Sequence, residues 1–512
     1  MMKVNRWVAG LIAATGVGVI VVACGGGGDE PINVSSGTVF KNATVVNTRD
    51  GSLQSGVTVV VDGGKIQTIT TRFVNPIATA VAIDATGKFV VPGYLDMHTH
   101  ALGSLAKPPG DFPVLLANGV TGVREAGGSP ALIAAARAQN ANVIAGTADA
   151  PEILMLPSAI AAGPASPATA AAGVQFVKDR KAEGADFIKV ASGTRDGVLA
   201  MLAEVKNQGY PAFHVAGHLV PTVTPLESTN AGWHSIEHLG AGWGLLIGCS
   251  TDEDNIRTAS LANPAPPGAD VVNPRLYDGN NNAQYYQRII DTYSETKCVD
   301  LLKAFVKNDT WQPVTLIRLR TSDYGDDPAY ANDPNLIYVD KTRKALWAAR
   351  NVSYATTVTP AARATLQSFY QLRLKVAKLM QQNGVKILAG SDLGGGWVIP
   401  GVSMHQEFRE MAIAGLTPLQ ILQSTTINGA QFVGREATMG TVEVGKNADL
   451  VLLDANPLAD VANLSKISHV VLRGKVYTRA TLDKIKTDVA AAYAAMPTSA
   501  DLTSALDPTH TD

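Results

Sequence analysis

The chain has 512 residues, of which 46% are hydrophobic and 17% charged, a balance that excludes an intrinsically disordered chain. Its formal net charge of -2 comes without a long run of like charge, which argues against a nucleic-acid partner, since that would favour a basic stripe. The length exceeds one ordinary core, so one large domain and one smaller one are expected.

At the start, Lys3 and Arg6 precede or open a mostly apolar run from Trp7 to Val22, which ends in Val21-Val22-Ala23-Cys24-Gly25. A charged start, an apolar stretch and small residues before a cut site describe a secretory signal. A cysteine directly after a small residue resembles a bacterial lipobox. That resemblance implies cleavage before Cys24, lipidation of Cys24, and an exported protein anchored by lipid to a bacterial membrane, facing the periplasm or the cell exterior. Residues 1–23 are then the signal peptide and residues 24–36 a tether, with Gly25 to Gly28 supplying flexibility. The alternative is an uncleaved anchor. Export also bears on Cys249 and Cys298, the two remaining cysteines, because an even pair in an oxidising compartment is expected as a disulfide. Two separate buried thiols are the other reading.

From Thr38 to Ile83 the chain reads as short strands, with Asp62-Gly63-Gly64 as a hairpin turn between two of them. Residues 440–476 read the same way. The economical arrangement is a small β-sandwich from both chain ends, residues 37–91 and 436–480. Between them, residues 92–435 alternate short apolar runs with Ala-rich helical stretches. Strands are expected at 93–98, 119–124, 187–191, 212–215, 234–237, 312–317 and 385–389. Helices are expected at 169–183, 285–306, 361–382 and 418–433. Such strand-then-helix units argue for parallel β/α architecture, and seven or eight of them for a (β/α)8 TIM-like barrel. Two irregular stretches, 244–283 and 322–339, read as functional lids or insertions. Residues 481–512 read as a C-terminal tail.

The chemistry begins at Gly93-Tyr94-Leu95-Asp96-Met97-His98-Thr99-His100. Residues i and i+2 of a strand point the same way, so His98 and His100 can present two imidazoles to one point. Imidazole is a common zinc ligand, although a bare His-x-His also arises by chance. The chain holds only nine histidines. Several fall at or just after expected strand ends, where barrel active sites are built. His214 closes Tyr210-Pro211-Ala212-Phe213-His214, and His238 closes His234-Ser235-Ile236-Glu237-His238. Ala389-Gly390-Ser391-Asp392 adds a carboxylate after an apolar run.

This constellation resembles the amidohydrolase superfamily, in particular its imidazolonepropionase-related and prolidase-like members. The resemblance covers roughly residues 37–480. The segment ending His98-Thr99-His100 looks like the first-strand metal motif, and Asp186-Phe187-Ile188-Lys189-Val190 like the fourth, whose lysine is often carboxylated. Phe213-His214-Val215-Ala216-Gly217 is similar to the fifth-strand motif, Ser235-Ile236-Glu237-His238 to the sixth, and Ala389-Gly390-Ser391-Asp392 to the eighth. Ala414-Gly415-Leu416-Thr417-Pro418 and Ala430-Gln431-Phe432-Val433-Gly434 resemble the helical segment that closes such barrels. Gly445-Lys446-Asn447-Ala448-Asp449-Leu450-Val451 resembles the return into the β-sandwich.

The resemblance implies two divalent metal ions, zinc by preference, and a small-molecule substrate. His98, His100 and Asp392 would hold one ion and His214 and His238 the other. Lys189, carboxylated on its side-chain nitrogen, would bridge them; a snorkelling surface lysine is the bland alternative. A metal-bridging hydroxide would attack an amide bond of a peptide or cyclic amide, with Asp392 as general base. Lactone or ester hydrolysis, or deamination, are alternatives on the same site, and a non-catalytic metal- or substrate-binding lipoprotein is a further one. Arg124, His218 and His405 are weaker candidates for substrate or supporting contacts, and Arg318 and Arg320 for a substrate carboxylate. His234, at the start of its strand, reads as structural. Gly394-Gly395-Gly396 suggests close backbone approach or a mobile lid, without phosphate-loop spacing. An oligomer is left open.

Overall fold

The computed structural model describes residues 30–209, 213–263 and 279–499. The expected signal peptide and Cys24 lie outside the described residues. Among those residues, no helix is long and apolar enough to cross a membrane.

The fold is mixed α/β. Both chain ends meet in one eight-stranded sheet, in the order Lys475–Thr478, Ile467–Leu472, Leu450–Leu453, Phe89–Pro92, Thr38–Val46, Leu53–Asp62 and Lys65–Thr70, with Val81–Asp84 added against Thr38–Val46. The two ends are stitched where Leu450–Leu453 runs antiparallel to Phe89–Pro92, Leu450 opposite Pro92. Alternation along these strands buries Phe40, Val59, Val61, Val90, Leu450 and Leu452 in one core. The expected hairpin forms, with Asp62 opposite Lys65. Gly63 and Gly64 both have positive φ, 54° and 75°, which the tight turn between twisted strands demands and side chains resist.

Two boundaries differ from expectation. Ile32–Val34, inside the expected tether, is a strand paired in parallel with Val74–Pro76, because Ile32, Val34 and Val74 pack on Val39 and Val60. The first part of the expected C-terminal tail belongs to the helix Arg479–Ala495. Its Leu482, Val489 and Tyr493 form a buried stripe, and Val489 and Tyr493 cluster with Val114.

Between the two ends run three parallel sheets. Tyr94–Thr99, Val120–Glu125 and Glu152–Met155 form the first; Ile188–Val190, Val215–Gly217 and Ser235–Ile236 the second; Gln312–Pro313 and Ile387–Leu388 the third. Single bridges pair Pro157 with Phe187, Ser235 with Trp311, and Thr99 with Leu393. Leu95, Met97, Leu154, Phe187, Ala216, Trp311 and Leu388, drawn from or beside all three sheets, share one buried apolar cluster. Each such side chain contributes about 1.5–3 kcal/mol of burial energy.

Glu152–Met155 was not among the expected strands, and the expected strand at 312–317 shortens to two residues because Leu316–Asp323 is helical. The expected helix at 285–306 is two, Gly279–Asp291 and Glu295–Lys307, the second capped by Ser294 accepting from the Lys297 amide. The helix expected at 418–433 also divides, into Pro418–Ser424 and Ile427–Phe432. Part of the stretch 322–339 is ordered as short helical turns, and Lys341–Thr357, unforeseen, is a helix capped by Asp340.

Cys249 and Cys298 form the expected disulfide across a separation of 49 residues. A double Cys249→Ser, Cys298→Ser variant is expected to lose about 2–4 kcal/mol of stability by denaturant titration, since the bridge restricts the unfolded chain. Unchanged stability would contradict that role.

Candidate metal centre

Asp96, buried in the strand Tyr94–Thr99, ties that strand to the segment after Ile387–Leu388. It accepts from the Ser391 amide at 2.9 Å, the Ser391 hydroxyl at 2.5 Å and the His98 amide at 3.3 Å. Burial pushes the Asp96 carboxyl up to about 7 against these hydrogen bonds. Gly390 makes the contact possible: a Cβ there would lie 2.9 Å from the His98 Cβ and 3.0 Å from its backbone nitrogen. The Asp392 amide then donates to the His98 carbonyl at 2.8 Å. The result sets His98, His100 and Asp392 together, all buried, with ligand atoms within 4.8 Å of one another.

The distances describe a convergent cluster. Asp392 Oδ1 lies 3.4 Å from His98 Nε2 and 3.6 Å from His100 Nε2, and Asp392 Oδ2 lies 4.0 Å from His238 Nε2. The His98 and His238 rings are 4.4 Å apart between centroids, and the His218 ring is 5.1 Å from that of His238. Arg318 brings its Nε to 3.5 Å from Asp392 Oδ2. Lys189, 1% exposed, shares the inward face of its strand with Phe187, two residues before it. Burial lowers the His98 and His238 imidazoles below their usual range, His238 further, so both stay neutral.

Two groups, Glu237 and Thr315, contact the histidines from behind, and Arg124 holds the first of them. His98 Nδ1 is 2.6 Å from Glu237 Oε2, and Arg124 Nη2 donates to the same oxygen at 2.5 Å. Burial works to raise the Glu237 carboxyl, but Arg124 and His98 outweigh it and hold it well below the ordinary carboxylate range. His238 Nδ1 is 2.5 Å from the Thr315 hydroxyl. His238, Thr315 and Asp392 all have positive φ, 57°, 42° and 55°. Such backbone costs of order 1–3 kcal/mol per residue and gathers at functional sites.

The residues fit a metal. His98 Nε2 and His238 Nε2 are buried without a hydrogen bond, and both point toward a carboxylate. Buried polar atoms are otherwise paired in the great majority of cases, and neutral imidazole with carboxylate is a zinc donor set.

Not every expected residue joins. His214 precedes the strand Val215–Gly217, whose register pairs Ile188 with Val215 and Lys189 with Ala216. Its ring stacks on His234 at 3.7 Å, and His234 lies against Phe432. His218, at the other end of the same strand, is the histidine beside His238. His405 also stays away: its Nε2 meets the Asn118 carbonyl at 3.0 Å and its ring packs between Tyr94 and Phe408. Arg124 is spent on Glu237 and on the Met97 carbonyl. Arg320 is engaged by Tyr330, Asp327 and Glu410. Sequence reasoning assigned no role to Asp96, Glu237 or Thr315. The first two stand inside the quoted motifs, and Asp96, a carboxylate within a buried strand, is the one of the three that carries a local signal.

Residues 344–477 match the model of the Amidohydrolase family, so the chain carries an amidohydrolase-family segment there. Among curated proteins it is similar to an imidazolonepropionase of Treponema denticola, 38% identical over 84 residues, which is 15% of this chain and 19% of that protein. An adenine deaminase of Desulfatibacillum aliphaticivorans is 32% identical over 96 residues, 19% of this chain and 15% of that protein. The chain thus spans under a fifth of the length of these two relatives. Its fold is similar to that of bottromycin amidohydrolase, with a TM-score of 0.67 at 19% identity, covering 89% of this chain and 90% of the other. It is also similar to a Xaa-Pro dipeptidase with methionine bound in the active site, TM-score 0.57 at 19% identity, covering 86% and 100%.

Proposed function

We propose that this chain is a metal-dependent amidohydrolase that cleaves an amide bond in a peptide or a cyclic amide. The single observation that carries the reading is the buried convergence of His98, His100 and Asp392, with ligand atoms within 4.8 Å. The three parallel sheets, joined by single bridges, are read as a (β/α)8 barrel, and the eight-stranded sheet as part of a β-sandwich. His98, His100 and Asp392 would hold one divalent ion; His238 and His218, in place of His214, would hold a second. Lys189, carboxylated on its side-chain nitrogen, would join the two. Bound zinc supplies water of pKa about 7 and polarises a carbonyl.

The chain's own residues do the rest. Asp392 takes a proton from the attacking water and passes it to the leaving nitrogen. Arg318 stands next to that carboxylate, its Nε 3.5 Å from Oδ2. The apolar cluster around Trp311 and Phe187 closes the space beneath and keeps bulk water from it. Deamination is the second reading, favoured by the adenine deaminase relative; lactone or ester hydrolysis would use the same groups. A binding lipoprotein without turnover fits less well, because binding has no need of Asp392 as a base. The disulfide supports export, and with it lipidation at Cys24.

A panel of N-acyl amino acids, dipeptides, cyclic amides, lactones and aminopurines, offered to metal-reconstituted protein, tests the reading. Turnover of amides that is lost on chelation is expected; turnover of aminopurines alone would favour the deaminase, and none at all would overturn both. The two histidines are separable as well. His218→Ala is expected to lower the metal content measured by elemental analysis by about one ion of two, and His214→Ala to leave it unchanged. The reverse pattern would restore His214 as the ligand.

A further inference from the structure

We propose that the two metal positions are unequal, and that the groups behind the histidines make them so: Glu237, clamped by Arg124 and Ser235, makes the His98 side tight, and Thr315 leaves the His238 side labile. The inference rests on the two-ion reading above and concerns what this chain's own residues do to it.

A neutral imidazole has one N–H and one lone pair, so the partner of one nitrogen decides what the other offers. An ionised carboxylate only accepts. Glu237, 2.6 Å from His98 Nδ1, therefore fixes the proton there and turns the Nε2 lone pair toward Asp392 at 3.4 Å. A charge-assisted bond of this kind also raises the basicity of the ligand nitrogen. Glu237 has little freedom to do otherwise. Arg124 Nη2 and the Ser235 hydroxyl hold its two oxygens at 2.5 and 2.6 Å, and Arg124 Nε is itself anchored on the Met97 carbonyl at 2.6 Å.

The His238 side is built from weaker parts. Its Nδ1 faces a hydroxyl, Thr315 Oγ1 at 2.5 Å, which is uncharged and both donates and accepts. Asp392, the carboxylate that the Nε2 atoms of both sides face, is closer to His98 and His100, at 3.4 and 3.6 Å, than to His238, at 4.0 Å. The first position thus has a carboxylate in front and a carboxylate-backed imidazole. The second has His218 and a hydroxyl-backed imidazole. For a divalent cation the first is the stronger site.

The test uses the full chain, stripped of metal and titrated with zinc ions in competition with a chromogenic chelator, with elemental analysis of the product. Two binding events separated by at least about tenfold are expected, the weaker ion leaving first. Glu237→Gln is expected to weaken the tighter event by about 10–100-fold, and Thr315→Ala to weaken only the looser one, the range for loss of a group behind a ligand. Because Glu237→Gln leaves Arg124 buried beside a neutral amide, thermal melting is recorded. The double variant Arg124→Met, Glu237→Gln carries the comparison if the single one unfolds. Two events of equal affinity, or a Glu237→Gln effect confined to the looser event, would overturn the inequality and leave the two-ion reading standing. A single event in the native chain would overturn both.

Discussion

Asp392→Asn is expected to lower the proposed amide turnover by about 10²–10⁴-fold, the range for loss of a positioned general base. The exchange preserves shape. The backbone of Asp392, at φ 55°, is held by its own amide donating to the His98 carbonyl at 2.8 Å, and asparagine tolerates positive φ well. The carboxamide cannot receive a proton. It also meets His98 Nε2, His100 Nε2 and Arg318 Nε, all within 3.6 Å of the present carboxylate, without a negative charge. Steady-state rates on a turned-over amide, with metal content measured on the same sample, separate loss of the base from loss of the ion. Undiminished turnover would remove Asp392 from the chemistry.

Lys189→Ala is the second large effect. Lys189 lies at the centre of Ile188–Val190, opposite Ala216, and is 1% exposed. In the proposed reading Lys189 is carboxylated: its amine, once deprotonated, adds carbon dioxide to give a carbamate and a proton. Its removal is expected to lower the metal content from two ions toward one and turnover by at least about 100-fold. Formate or acetate, small anions that carry the lost charge, are expected to restore part of the rate. A variant that keeps two ions and full turnover would return Lys189 to a structural role.

Much of the site is readable along the chain because its pieces are local. His98-Thr99-His100 needs only the two-residue period of a strand, and Asp392 only the end of an apolar run. The Asp62-Gly63-Gly64 hairpin is legible because positive φ at two successive positions selects glycine. The pair His214 and His218 shows where this stops. They flank a three-residue strand, Val215–Gly217, and reading that strand a few residues early exchanges its two ends. Glu152–Met155 escaped because a glutamate and three apolar residues carry no period that separates strand from helix. Glu237 and Thr315 are illegible for another reason. Their partners are 139 and 77 residues away, and only the fold brings them behind His98 and His238.

Elemental analysis of the purified native chain tests the central claim most directly. The proposed site, His98, His100 and Asp392 beside His218, His238 and Lys189, predicts close to two divalent ions, zinc foremost, per folded chain. A folded chain that takes up none when zinc is supplied would contradict the metal-dependent hydrolase itself.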